Sequence, residues 1–142
     1  MRLRTKILLT ILLAIAYFWT TQHVEREKID GAIAAGHIPQ AKLVEWYADA
    51  NKDYFDDQLP HDTEIVWYNL RYKKAMADTG CNEQGCIIRI DPYVNVAPAT
   101  AQETLYHEMC HVKTWGADLE HGPEWQNCMT MLFRKGALDG LI

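Results

Sequence analysis

A pair of histidines four residues apart constrains this chain more than any other feature of its sequence. His107 and His111 lie in the pentapeptide His-Glu-Met-Cys-His, and residues i and i+4 of a helix share one face. The spacing therefore predicts a helix whose two imidazoles bind the same metal ion. In this arrangement the carboxylate of Glu108 reaches the water on the metal rather than the metal itself. That is the position of a general base.

A catalytic zinc ion usually keeps three protein ligands and leaves its fourth position to water, so another ligand must come from elsewhere in the chain. His121, in the segment His-Gly-Pro-Glu-Trp, is the candidate that we favour. Nearby carboxylates stay open as alternatives, namely Asp118, Glu120 and Glu124. Metzincins carry Gly and His at the positions that Thr114 and Ala117 occupy here, so that class is excluded.

One catalytic zinc ion is therefore the predicted cofactor, with His107, His111 and His121 as its ligands. Such an ion lowers the pKa of its bound water toward ~7 and polarises a carbonyl group. Glu108 would take the proton from that water and pass it to the leaving amine. The predicted reaction is peptide hydrolysis, and the predicted partner is a protein or peptide substrate.

The helix that carries the motif is predicted over residues 101–115. Thr100 and Glu103 have the spacing of a capping box, and Gly116 suits a C-terminal stop. On the side away from the histidines runs an apolar stripe of Leu105, Met109 and Val112. Because both sides of the helix are covered, the imidazoles are expected to line a cleft.

The first residues of the chain differ from the rest. Arg2, Arg4 and Lys6 precede an apolar run over residues 7–19, which is typical of an export signal or a membrane anchor. The run is shorter than the ~20 residues of a full crossing, so spanning is marginal. The basic flank favours a catalytic domain outside the cytoplasm. The alternative is a cytoplasmic protein in which the run is an ordinary helix.

Length and charge indicate one globular domain with an acidic surface. We expect a signal peptide or anchor over residues 1–21, a linker or helical connector over 22–39, and the catalytic domain over 40–142.

Of the 14 Lys and Arg residues, 11 remain after the first 21 residues, against 19 Asp and Glu, which gives a formal charge of −8. Nucleic acid is therefore an unfavoured partner, because its binding relies on Lys and Arg. The sequence leaves the oligomeric state open.

The hydrophobic periodicity predicts an α+β fold, a small zincin-like domain with a short antiparallel sheet packed on helices after a hydrophobic N-terminal helix. One helix begins near Gln40 and stops before Leu59, and a last helix runs from Pro123 to Gly136. Its packing side is expected to carry Trp125, Met129, Leu132 and Phe133. Three strands are predicted over residues 65–68, 70–77 and 86–91, with the last two forming a hairpin.

The four cysteines form two groups. Cys81 and Cys86 flank a stretch typical of a turn and could form a short disulfide in an oxidising compartment. Cys110 and Cys128 lie in the two C-terminal helices, where they are expected to be core residues rather than ligands.

Five segments, taken together, resemble the SprT-like metallopeptidase family. They lie within about residues 40 to 135 and comprise Tyr54–Pro60, Ile65–Trp67, Ile88–Asp91, His107–His111 and His121–Trp125. The His-Glu-x-x-His element alone is common among zinc proteases, but its combination with the other segments is much more specific.

The resemblance implies a small fold of helices and sheet in which His107, His111 and His121 hold zinc and Glu108 is the catalytic base. Members that act on DNA-protein crosslinks often carry an additional zinc ribbon or a DNA-binding tail, whereas this sequence ends soon after its last helix. Two alternative functions remain. The first is a non-catalytic zinc-binding or interaction domain, and the second is an intracellular SprT-like protease that acts on DNA-bound proteins. Glu108 argues against the first, and the charge and apparent signal argue against the second.

Overall fold

The structure is a computed structural model, and it describes residues 10–24, 26 and 37–142. In this part of the chain, four helices accompany a three-stranded sheet, which confirms the predicted α+β class. In chain order the elements are α1 (residues 10–24), α2 (Gln40–Tyr54), β1 (Glu64–Trp67), β2 (Ala77–Asn82), β3 (Gly85–Ile90), α3 (Pro98–Lys113) and α4 (Pro123–Arg134).

The sheet has the strand order β1-β3-β2, so β3 is central. β2 and β3 form the predicted antiparallel hairpin, in which Asn82 pairs with Gly85. β1 pairs with β3 in parallel, which differs from the expected all-antiparallel sheet. The reason is that the chain reverses direction twice between β1 and β3, so these two strands run the same way.

The segment between β1 and β2 is not the strand that was predicted over residues 70–77. It contains a 3₁₀ turn over Arg71–Lys73, which ends at Lys74 in the left-handed conformation with a φ of 53°. Extended backbone cannot continue through a left-handed residue, so β2 begins only at Ala77. The prediction of a strand over residues 70–77 was therefore wrong, although the number of strands was right.

The core lies between α3 and the elements around it. α3 contacts α2, β2, β3 and α4, and its predicted apolar stripe of Leu105, Met109 and Val112 is buried. From the opposite side the core receives apolar residues of α2 and the sheet, namely Leu43, Tyr47, Ala50, Ile65, Trp67, Ile88 and Ile90. Removing this apolar surface from water is what stabilises the position of α3.

α3 begins earlier than the predicted residue 101. Pro98 occupies its first turn, where a missing N–H costs nothing, and Ala97 is the N-cap without a side-chain hydrogen bond. The predicted capping box at Thr100 was therefore wrong. A buried polar cluster fixes this end instead, because Thr104 donates a 2.6 Å hydrogen bond to Asn95, whose amide donates to the carbonyl of Met76 just before β2.

α4 begins at Pro123 after the N-cap Gly122, as predicted. Cys128 and Leu132 form its buried side, and Trp125 and Met129 pack against the core in part. Phe133 is 60% exposed, so its predicted packing role was wrong.

The segment after α2 is a tight turn organised by Asn51. Its side-chain amide donates to the carbonyl of Leu59 and accepts from the N–H of the same residue, both at 3.0 Å. Asp56 and Asp57 both adopt positive φ values within this turn. Phe55 and Leu59 are thereby directed into the core, which gives a structural role to the Tyr-Phe-Asp-Asp-Gln-Leu-Pro segment.

The N-terminal helix α1 does not have the character of a membrane span. Its last residues are polar, from Thr20 to His23, before Val24. Among the residues that the structure describes, no helix is long and apolar enough to cross a membrane. The predicted membrane anchor was therefore wrong, and the localisation outside the cytoplasm loses its basis. Residues 1–9 of the predicted signal and most of the predicted linker over 22–39 lie outside the described residues.

Candidate metal centre

Three imidazoles converge at the surface of α3. His107 and His111 extend from the helix, and His121 reaches them from the loop that precedes α4. Their Nε2 atoms are separated by 3.2 Å (His107 to His111), 3.1 Å (His111 to His121) and 3.2 Å (His107 to His121). Within the described part of the chain, these three histidines are the group of side chains that could hold a metal ion. The structure thus brings the three predicted ligands together.

The arrangement of the nitrogens fits a zinc ion. Two tetrahedral ligands, each about 2.0–2.1 Å from zinc, lie about 3.3 Å apart, which is close to the separations in this cluster. A neutral imidazole has one N–H, on either Nδ1 or Nε2. Where the proton is on Nδ1, the Nε2 atom has a lone pair that needs a partner. A shared cation would satisfy all three lone pairs at once.

The protonation of the histidines favours metal binding. Burial, followed by the charges of His111 and His121, lowers the pKa of His107 to about 4. Burial and the charge of His121 also lower the pKa of His111, and nearby Glu120 opposes this shift. Imidazole must be neutral to bind a metal ion. Both rings therefore keep a lone pair for a ligand at neutral pH.

Glu108 lies beside the histidines and is buried. Its Oε2 accepts a 2.6 Å hydrogen bond from the hydroxyl of Thr79, and its Oε1 lies 4.0 Å from Nε2 of His107. Burial raises the pKa of Glu108 to about 7; the hydrogen bond from Thr79 opposes this shift, and the negative charges of Asp78 and Glu120 add to it. A carboxylate with this pKa can accept and return a proton near neutral pH.

The other acidic residues near the motif have a smaller part in the site. Asp118, Glu120 and Glu124 do not join the cluster of potential ligands among the described residues. Within residues 37–142, neither Asp118 nor Glu120 forms a hydrogen bond with a ring nitrogen of the three histidines. The negative charge of Glu120 raises the pKa values of His111 and Glu108.

Trp125 forms a wall behind the three imidazoles. The centre of its ring lies 4.6 Å from that of His107, 5.6 Å from that of His111 and 4.6 Å from that of His121. Its indole N–H points to the backbone carbonyl of His107 at 3.4 Å. Sequence reasoning assigned this side chain to core packing. The feature of the sequence that could have indicated its place beside the imidazoles is its position four residues after His121.

The described residues form two disulfides. Cys81 and Cys86 form a disulfide across the hairpin between β2 and β3, one of the two states that the sequence left open for this pair. Cys110 and Cys128 form a second disulfide, which joins α3 to α4. Both residues are buried, as expected for core residues, but their pairing was missed because they are 18 residues apart and lie on different helices.

Open space lies on both sides of the histidines. One cavity of about 360 Å³ is bordered by His111, Trp115 and Leu119, and another of about 320 Å³ by Met76, His107 and Met129. Volumes of this order are at the lower end for ligand pockets. The three histidines therefore lie between two cavities.

The sequence profile of the SprT-like family matches residues 43–138, which include most of α2, the sheet, α3, α4 and every residue of the site. The chain belongs to the SprT-like family. The resemblance of the five sequence segments is thereby confirmed for the family, which is linked to metallopeptidase-like proteins. Over an alignment of 73 residues, which covers 48% of this chain, the sequence is 29% identical to the germ cell nuclear acidic-1 protein of Caenorhabditis elegans. The chain spans 14% of the length of that relative.

Proposed function

We propose that this SprT-like protein is a zinc-dependent endopeptidase. The observation that carries the proposal is the buried Glu108 carboxylate beside three converging histidines, with one oxygen held by Thr79 and the other facing the cluster. A structural zinc site usually has four protein ligands and no adjacent base. Three histidines next to a buried carboxylate match the donor set of a hydrolytic site instead.

His107, His111 and His121 would hold the zinc ion through their Nε2 atoms. When bound, zinc supplies Lewis acidity, which lowers the pKa of water and polarises a carbonyl group. Glu108 accepts the proton from the attacking water and later delivers it to the leaving amine. Burial raises the pKa of Glu108 to about 7 in the metal-free protein, and the positive charge of a bound zinc ion would lower it toward the ionised form that a base requires.

The surroundings of the site favour an extended polypeptide as the substrate. β2 lies at the edge of the sheet and contributes Thr79 to the site. An extended peptide can therefore pair with the backbone of β2 while its side chains enter the two cavities. Because a cavity lies on each side of the histidines, we expect the substrate to extend in both directions, which favours cleavage within a chain over removal of terminal residues.

The test compares wild-type protein with two variants on an unfolded protein substrate, such as reduced casein, after elemental analysis of bound zinc. We expect one zinc ion per wild-type chain and zinc-dependent cleavage. Glu108→Gln should keep zinc and lose about 100-fold or more in kcat, because it lacks the base. His121→Ala should lose zinc.

Two results would contradict the proposal. The first is full activity in Glu108→Gln, which would remove the assigned base. The second is a wild-type protein that binds zinc and cleaves no unfolded substrate, which would indicate a non-catalytic zinc-binding domain.

A further inference from the structure

The two carboxylate oxygens of Glu108 have different surroundings. Oε2 accepts the 2.6 Å hydrogen bond from the hydroxyl of Thr79, a residue of β2. Oε1 lies on the side of the metal centre, 4.0 Å from Nε2 of His107. A hydroxyl has a single proton to donate, so it can hold one of the oxygens at a time. The structure thus distinguishes two oxygens that are chemically equivalent in a free carboxylate.

We propose that Thr79 is a positioning residue, which fixes Oε2 of Glu108 and leaves Oε1 as the oxygen that accepts the proton. The inference rests on the proposed peptidase function. The terminal torsion of a glutamate side chain is broad and roughly two-fold, so an unheld carboxylate would point its oxygens in many directions. The hydrogen bond from Thr79 removes this freedom before a substrate arrives. Such pre-organisation reduces the barrier of a proton transfer.

Thr79 is itself held firmly by its strand. It pairs with Ile88 in the hairpin between β2 and β3. On one side of Thr79, Asp78 accepts hydrogen bonds from Arg89 at 2.7 and 2.6 Å and from Lys73 at 2.9 Å. On the other side, the disulfide at Cys81 closes the hairpin.

The side chain of Thr79 is also restricted. Because threonine is β-branched, its χ1 angle has little freedom. The strand and the side chain therefore define where the hydroxyl lies, and the hydroxyl defines where the carboxylate lies. The orientation of the Glu108 carboxylate is therefore set by the sheet, through Thr79, and not by α3 alone.

The experiment separates the hydroxyl from the methyl group of the side chain. Thr79→Val keeps the shape and loses the donor, and Thr79→Ser keeps the donor and loses the methyl group. We expect Thr79→Val to lower kcat about 10- to 100-fold with little change in KM or in zinc affinity. Thr79→Ser should retain kcat within about threefold. Thr130→Val is the matched control, since the hydroxyl of Thr130 bonds only the carbonyl of Gln126 on the exposed side of α4.

Two further readouts distinguish positioning from general structural support. In the Glu108→Gln background, Thr79→Val should cause no additional loss of kcat, because the two residues act as a unit. A crystal structure of metal-free Thr79→Val should show the Glu108 carboxylate turned away or in several orientations.

The inference is overturned if Thr79→Val keeps the wild-type kcat, if it loses zinc affinity in proportion to kcat, or if Thr79→Ser is impaired as strongly. An unchanged Glu108 carboxylate in the crystals of Thr79→Val would also overturn it. Failure of the proposed function is recognised separately, by wild-type protein that cleaves nothing with zinc bound. In that case the orientation of the carboxylate still decides whether Thr79 positions Glu108.

Discussion

Cys110 and Cys128 are joined by a disulfide that ties the last turn of α3 to the middle of α4. The chain between them includes His111 and the loop that carries His121. From Trp115 to His121 this loop has no buried residue, so packing contributes little to its position. The disulfide therefore acts together with two contacts from α4, in which Trp125 packs against the His121 ring and the Gln126 side chain donates a 3.0 Å hydrogen bond to the His121 carbonyl.

Removing this disulfide should weaken zinc binding through His121. We expect the double variant Cys110→Ala and Cys128→Ala to bind zinc about tenfold more weakly, because a less restricted loop pays more conformational entropy to place its ligand. Titration with a zinc-buffered competitor measures the affinity, and circular dichroism confirms that the variant is folded. In the His121→Ala background, the same double variant should cause no further loss of affinity.

The second disulfide provides the matched control. Cys81→Ala with Cys86→Ala removes a disulfide at the hairpin, and this change should leave the zinc affinity within about twofold. Equal losses in both double variants would mean that the effect comes from overall stability. An additive loss in the His121→Ala background would also exclude an action through His121.

Trp125 should support the metal centre by covering the three imidazoles. Trp125→Ala removes the indole ring that covers the imidazoles. Water can then reach the rings, and their orientations are less restricted. We expect a zinc affinity about tenfold lower, with Trp125→Phe within about threefold because it keeps a ring. Phe133→Ala is the control on the same helix, since Phe133 is 60% exposed. A zinc affinity in Trp125→Ala that equals the wild-type value would show that the wall has no such role.

The metal motif was predictable because its geometry is local. Spacing alone places His107 and His111 on one face of a helix, whatever the rest of the fold does. His121 was a favoured candidate among several, because its distance from the pair depends on a loop. The membrane anchor predicted at the N-terminus was wrong, because the basic flank and the apolar composition were given more weight than the marginal length of the run.

Contacts between elements could not be read from the sequence. Thr79 meets Glu108 only because β2 begins at Ala77 and runs beside α3. The left-handed Lys74 delays that strand, and no pattern in the sequence indicates this conformation. Likewise, the pairing of Cys110 with Cys128 depends on how α3 and α4 pack.

Asn51 should be important for stability and not for the metal centre. Its amide pairs with the N–H and the carbonyl of Leu59 and is 1% exposed. Asn51→Ala leaves both backbone groups without partners, so we expect a loss of about 2–4 kcal/mol in the free energy of unfolding. Urea denaturation measures it, and Asn127→Ala at an exposed position of α4 is the control. A loss below about 0.5 kcal/mol would show that the turn does not depend on this pair.

The stability of the metal-free protein should depend on pH through Glu108. Folding raises the pKa of this carboxyl group from 4.5 to about 7, so it favours the protonated form. That contribution is complete below the unfolded pKa and is lost as the pH rises through about 7. Glu108→Gln lacks this contribution, so its stability relative to wild type should increase by about 2–3 kcal/mol between about pH 5 and about pH 8.

Chemical denaturation at each pH, with chelator present, measures the difference in stability between Glu108→Gln and wild type. Glu124→Gln, on the exposed side of α4, controls for the loss of a surface charge. A difference that is constant with pH would contradict the assignment.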